Sequence, residues 1–330
     1  SIDVSGISLS GADAANYKLA FNSLNASTGV ITAAPLLITA NNDSKTYDAA
    51  AYTTTNAATA GVNYSGFVNG ETASVLSGTL SYGGTAIGAV NVGNYAIAPT
   101  GQTSSNYAIT YGNGALNISP ADVRVSATNV TLTGTVAKVY DGTTVATLTS
   151  NNYVTTGWQG SDGATITQTT GTYDNANAGT NKLVNVTLAS SDYSATNGTL
   201  LSNYNLPTAA SGYVGVITPK SVTVSNTSRT TTYDGLSSYN ALAAGTTYTV
   251  GAMVGSDTVS SISQTASGFS GGASGTAQAG TYTITPSSAV MGTGSASNYS
   301  FSYVSSTHTV NKATLNLAIS KTYDGSTSFS

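Results

Sequence analysis

The 330 residues contain no cysteine, a single histidine (His308) and a single tryptophan (Trp158). With no Cys and one His, a nucleophilic triad would have to be built on His308. His308 falls on an expected strand and reads as an ordinary strand histidine. Charge is also scarce: 7% of residues carry it, against roughly 25% in average soluble domains. The net charge is −4 with no basic run, which excludes nucleic acid and anionic membrane surfaces as partners. No apolar stretch reaches the length of a membrane span; the densest, residues 33–38, is too short. Thirteen acids are spread along the chain, giving neither a calcium-loop pattern nor a pair of catalytic carboxylates. Asp162, Asp174, Asp192 and Asp257 read as solvated turn residues. No enzyme activity, metal or cofactor is expected. A thiol-free chain fits the cytosol, or an exported bacterial protein crossing an oxidising periplasm. The excess of Thr, Ser, Gly and Asn over Lys and Glu favours export.

What is present points to strands. Thr, Val, Ile and Tyr are abundant, and all favour pleated, half-buried segments. Residues 35–40, 122–126, 221–225 and 313–319 each read as the opening strand of a module, with clean apolar/polar alternation in 122–126 and 221–225. The best helix candidate is short, at residues 70–76.

The chain repeats itself. Tyr47, Tyr140, Tyr233 and Tyr323 each precede an Asp, followed by Gly in three of the four copies. Their spacings are 93, 93 and 90 residues. An Asn-Tyr pair keeps pace at Tyr17, Tyr107, Tyr204 and Tyr299. The period exceeds that of a solenoid turn and matches a small domain with its own core. Boundaries are expected at 34/35, 119/120, 218/219 and 312/313. They give a module tail (1–34), three modules (35–119, 120–218 and 219–312) and a module head (313–330). Proline opens three of these stretches and stiffens the junctions. Modules are expected to close with hairpins: residues 106–111 turning at 112–114 into 115–119, and residues 299–303 turning at 305–306. Residues 17–21 read as the same tail, with Gly29 at its turn. The fold class is all-β, as tandem immunoglobulin-like sandwiches in a rod; grasp-like modules with one short helix are the alternative.

The order Tyr-Asp-Gly, Gly-x-x-x-Gly-Glu/Asp, Gly-x-Tyr (Tyr95, Tyr282), Asn-Tyr and a closing Ile-Thr-Pro resembles the YDG and MBG repeat modules. Such modules build the stalks of large bacterial surface adhesins similar to filamentous haemagglutinin, exported by two-partner secretion. The resemblance covers essentially the whole chain. It implies an extracellular, cell-surface place, adhesion or biofilm as the role, and no catalytic residues. Partners then are neighbouring modules of the same long chain and, for a binding array, host or bacterial glycans or proteins. A self-assembling extracellular filament is a third reading.

Two sets of residues are candidates for function. The signature turns, Tyr47-Asp48, Tyr140-Asp141-Gly142, Tyr233-Asp234-Gly235 and Tyr323-Asp324-Gly325, read first as tight turns with a packed tyrosine bonded to backbone. Glycan stacking by these tyrosines is the rival reading. Ala49 stands where the other copies have Gly, so that turn must be strained or of another type. Trp158, between Gly157 and Gly160, is a candidate ligand contact that stacks on sugar; the alternative is a plug for a module core.

Overall fold

The computed structural model describes residues 2–26, 30–123, 132–235, 246–268 and 277–327. Residues 124–126 of the expected second opening strand, and Gly29, lie outside them. The chain is all-β and groups into two compact units. One holds residues 1–123, 157–163 and 195–206; the other holds residues 124–156, 164–194 and 207–330. The expected module 120–218 therefore contributes to both.

In the first unit, β1 (Ile2–Ser5) pairs antiparallel with β2 (Ser23–Ala26). Residues 17–22 between them form no strand, and Tyr17 and Phe21 are exposed. The first full repeat follows: β3 (Ala34–Ala40), β4 (Asp43–Thr46), α1 (Thr54–Ala60), β5 (Val62–Ser65), β6 (Ser77–Gly83), β7 (Gly93–Thr103), β8 (Tyr107–Gly112) and β9 (Gly114–Ser119). Its two sheets run β5-β3-β8 and β4-β9-β7-β6. Alternation in β3 sends Leu36 and Ile38 inward, where they meet Tyr107. Ile97, Leu116 and Ile118 build the second apolar cluster with Tyr47 and Tyr52.

The expected closing hairpin is not there. β8 pairs in parallel with β3, and β9 pairs in parallel with β4. The chain runs straight through Asn113 from one sheet to the next. Gly112 and Gly114 serve closeness rather than reversal. A Cβ on Gly114 would lie 2.5 Å from the Asn41 carbonyl oxygen, and one on Gly112 would lie 2.8 Å from Thr39 Oγ1. The helix is also displaced. Residues 73–75 form only a 3-10 turn, whereas α1 starts at a capping box in which Thr53 and Asn56 satisfy each other's backbone N–H. Ala57 is its one buried residue, so no apolar stripe announced it. The repeat is thus an all-β, sandwich-like unit of two sheets, with parallel β3–β8 and β4–β9 pairs and one short helix.

The next repeat contributes β10 (Ala121–Asp122), β11 (Val136–Val139), β12 (Val145–Thr147), β13 (Gly163–Ile166), β14 (Thr170–Tyr173), β15 (Gly179–Thr187), β16 (Tyr193–Thr196), β17 (Tyr204–Asn205) and β18 (Ala209–Thr218). β10 lies parallel to β17 in the first unit. In the second unit, β11-β18-β15-β14-β12 form one five-stranded sheet. The third repeat has β19 (Lys220–Asn226), β20 (Arg229–Thr232), β21 (Tyr248–Val250), β22 (Thr258–Ser267), β23 (Gly280–Thr293), β24 (Tyr299–Val304) and β25 (Ser306–Asn311). Its sheets, β21-β19-β24 and β20-β25-β23-β22, reproduce the first repeat. Again the expected turn at 305–306 is absent: β24 pairs with β19, and β25 with β20 and β23. His308 is fully buried on β25, and its Nε2 shares a 2.9 Å hydrogen bond with Thr231. Residues 313–319 are not a strand, and Leu315, Leu317 and Ile319 are exposed. In the other repeats the opening strand is paired by one from the far end of the same repeat, and a strand without a partner ladder has no register to hold.

Candidate functional site

Three of the four signature turns, those of Tyr47, Tyr140 and Tyr323, are built the same way. Asp48 Oδ1 accepts the Ala50 N–H at 2.9 Å, Asp141 Oδ1 that of Thr143 at 2.8 Å, and Asp324 Oδ1 that of Ser326 at 2.9 Å. Lys45, Lys138 and Lys321 close the turns, ion-pairing with Asp48, Asp141 and Asp324 and donating to the carbonyls of Ala50, Thr143 and Ser326. Burial pulls the Asp48 and Asp141 carboxyls up, but the lysine and the N–H donors outweigh it and hold both below the usual carboxylate range. Gly142, Gly235 and Gly325 take φ of 77°, 70° and 81°, and Ala49 takes 60°. Ala49 thus makes the same turn in the left-handed region, with the strain that a Cβ brings there.

The tyrosine of the turn does not bond to backbone. In the first unit, the Tyr47 hydroxyl donates to Asp162 Oδ2 at 2.8 Å, and Tyr204 donates to the same oxygen at 2.6 Å. The two rings meet edge to face with centroids 5.2 Å apart. The Gln159 N–H donates to the Tyr204 hydroxyl. Asn203, the partner of Tyr204 in the Asn-Tyr marker, accepts the Val92 N–H at 2.9 Å and donates to Asn91. Trp158 is half-buried, packs edge to face on Tyr204 at 4.8 Å and joins the apolar cluster around Tyr52 and Ile118. The structure therefore places Trp158 beneath this junction.

The second unit contains the same arrangement. Tyr140 and Tyr299 donate to Asp257 Oδ2 at 3.2 and 2.6 Å, with ring centroids 5.4 Å apart. The Val254 N–H donates to Tyr299, as Gln159 does to Tyr204. Asn298 accepts the Ala178 N–H and donates to Asn177. Burial, then the carboxylate hydrogen bond, raises the pKa of Tyr47, Tyr204 and Tyr299, the last to about 12. Asp162 and Asp257 are thus half-buried acceptors of two phenols each rather than solvated turn residues. Asp174 pairs with Lys182, and Asp192 accepts the Ala189 N–H.

Tyr233 is half-buried against Tyr282 and Val310, and Tyr323 is 92% exposed. Among the described residues, no three His, Cys, Asp or Glu side chains converge, and no helix is long and apolar enough to cross a membrane. Sequence reasoning marked every residue of the junction but did not join them. The Tyr-Asp turn lies in one repeat and the acidic spot and Asn-Tyr in the next, with tyrosine and carboxylate 115 and 117 residues apart.

Residues 36–117 match the model of the MBG domain (YGX type), and residues 124–211 match that of the YDG domain. The chain carries an MBG domain followed by a YDG domain. Both are repeat domains of surface proteins. No curated protein matches the sequence. Among solved structures, the N-cadherin EC1-3 fragment of Drosophila is similar at 10% identity over 83% of this chain and 98% of that one, with a TM-score of 0.19, too low to carry an argument. The MBG match ends at residue 117 and the YDG match begins at residue 124, and Pro120 lies between them, between β9 and β10.

Proposed function

We propose that these MBG and YDG domains are a spacer in the repeat region of a bacterial cell-surface adhesin, secreted and held outside the cell. There they carry a distal binding region and so support adhesion or biofilm formation. The observation that carries this reading is the tyrosine–carboxylate junction. Consecutive repeats are separated by one proline, Pro120 or Pro219, and locked by two phenols on one carboxylate. A joint with a stiff connector and two phenols held on one half-buried carboxylate resists bending and pulling. The reading includes no catalytic step, no cofactor and no nucleic-acid partner. Host or bacterial glycans or proteins are partners of the distal region, not of this one. The test is quantitative binding of the purified chain to a glycan array and to cells. The spacer reading predicts no saturable binding. Saturable glycan binding that Trp158→Ala abolishes, with the fold intact, would overturn it in favour of a lectin array.

A further inference from the structure

The first and last strands of a repeat run side by side in one fixed register. In the first repeat, residues 34–39 pair in parallel with 107–112, and residues 43–46 with 116–119. Paired residues are always 73 positions apart. The spacing survives the step between the sheets, where the Ala115 N–H donates to Asn42 Oδ1 at 2.8 Å. Both ends are fastened. The Ala34 N–H donates to the Asn106 carbonyl and the Tyr47 N–H to the Ser119 carbonyl. The third repeat is built alike at a spacing of 79: residues 220–225 pair with 299–304, and residues 229–232 with 308–311. At its step, Ser306 Oγ donates to the Thr227 carbonyl. Thr223 meets Ser302 at 3.0 Å across one ladder, and Thr231 meets His308 at 2.9 Å across the other.

We propose that these paired limbs are shear clamps, by which the first and third repeats carry tension along the chain. Tension enters a repeat at the start of its first strand and leaves at the end of its last. Because the two limbs are parallel, those points lie at opposite ends of the ladders, and the limbs are pulled past each other. The evenly spaced hydrogen bonds of a parallel ladder then share the load and must break together. Packing opposes the same movement. A slip of one residue would turn Leu36 and Ile38, or Val222 and Val224, out of the core in which they are buried. A closing hairpin would have had neither property. The proposal rests on the spacer reading for the source of the tension, and adds that the repeats themselves, not only the junctions, resist it.

Single-molecule force spectroscopy of the full chain tests it, with handles on two introduced thiols; the chain has no cysteine of its own. Ala33→Cys with Asn117→Cys pulls the limbs of the first repeat past each other. Ala33→Cys with Ser105→Cys pulls the same limbs apart from their adjoining starts, so the pairs open one at a time. All three positions are exposed. At one loading rate the sliding direction should need roughly two- to threefold more force, since its hydrogen bonds yield together. Both thiol pairs should share one urea midpoint, so the difference in force reports direction and not stability. Asn42→Ala, at an exposed side chain, removes the bond at the step and should lower the sliding force alone. Ser221→Cys with Asn311→Cys, against Ser221→Cys with Ser300→Cys, should give the same ratio in the third repeat. Equal forces in the two directions would overturn the proposal, as would a sliding force that Asn42→Ala leaves unchanged. Either result would leave the spacer reading standing, whereas saturable glycan binding would overturn that reading and leave the difference in force intact.

Discussion

Tyr47 and Tyr204 donate their hydroxyls to one oxygen, Asp162 Oδ2, although 157 positions of sequence separate the two tyrosines. Tyr140 and Tyr299 do the same at Asp257. Each carboxylate is half-buried and accepts from two phenols, and a hydrogen bond to a charged acceptor contributes roughly 1.5–3 kcal/mol. The shared acceptor ties the most regular motif of one repeat to two motifs of the next. That explains why the two tyrosine markers keep step along the chain.

Ala49→Gly should stabilise the first repeat. The substitution relieves a left-handed alanine at φ 60°, worth roughly 1–2 kcal/mol, less the greater freedom of glycine in the unfolded chain, for a net gain of about 0.5–1 kcal/mol. The reverse change, Gly142→Ala, should lose at least as much, because its Cβ would lie 2.8 Å from Val254 Cγ1. Urea unfolding of both variants checks the pair. A gain in both would contradict the shared turn.

The junctions should loosen in alkali. Their tyrosines have pKa values raised above the unfolded value near 10, to about 12 for Tyr299. Their contribution is complete below pH 10 and is lost as the pH climbs through the folded value. Phenolate absorbance recorded together with urea midpoints should show stability falling between about pH 10 and 12. Tyr299→Phe should flatten the fall. An identical fall in the variant would place its cause elsewhere.

Gly114→Val should disrupt the first repeat by forcing a side chain into the carbonyls of Ala40 and Asn41. The expected loss is about 1–3 kcal/mol or more, the usual range for overpacking. A hairpin at this point would tolerate valine on the strand side. A neutral outcome would therefore argue against the parallel β4–β9 pairing.

Much of this was legible in the sequence. A β-prone apolar run marked β3, period-2 alternation marked β19, and the signature dipeptide marked the turns. Three things were hidden. Gly112-Asn113-Gly114 reads as a reversal because glycine between two strands usually supplies positive φ, yet here Gly112 admits the Thr39 side chain and Gly114 the backbone of residues 40 and 41. Asp162 and Asp257 read as solvated because local sequence carries no trace of tyrosines arriving from the preceding repeat. The helix at 54–60 was missed for want of apolar periodicity; the Thr53/Asn56 cap was the available signal.

The most direct test of the central claim is a double-mutant cycle on Tyr47→Phe and Asp162→Asn, read by urea unfolding of the intact chain. A junction that locks consecutive repeats predicts a coupling of about 1 kcal/mol or more between two residues 115 positions apart. Additive effects, with coupling near zero, would contradict it.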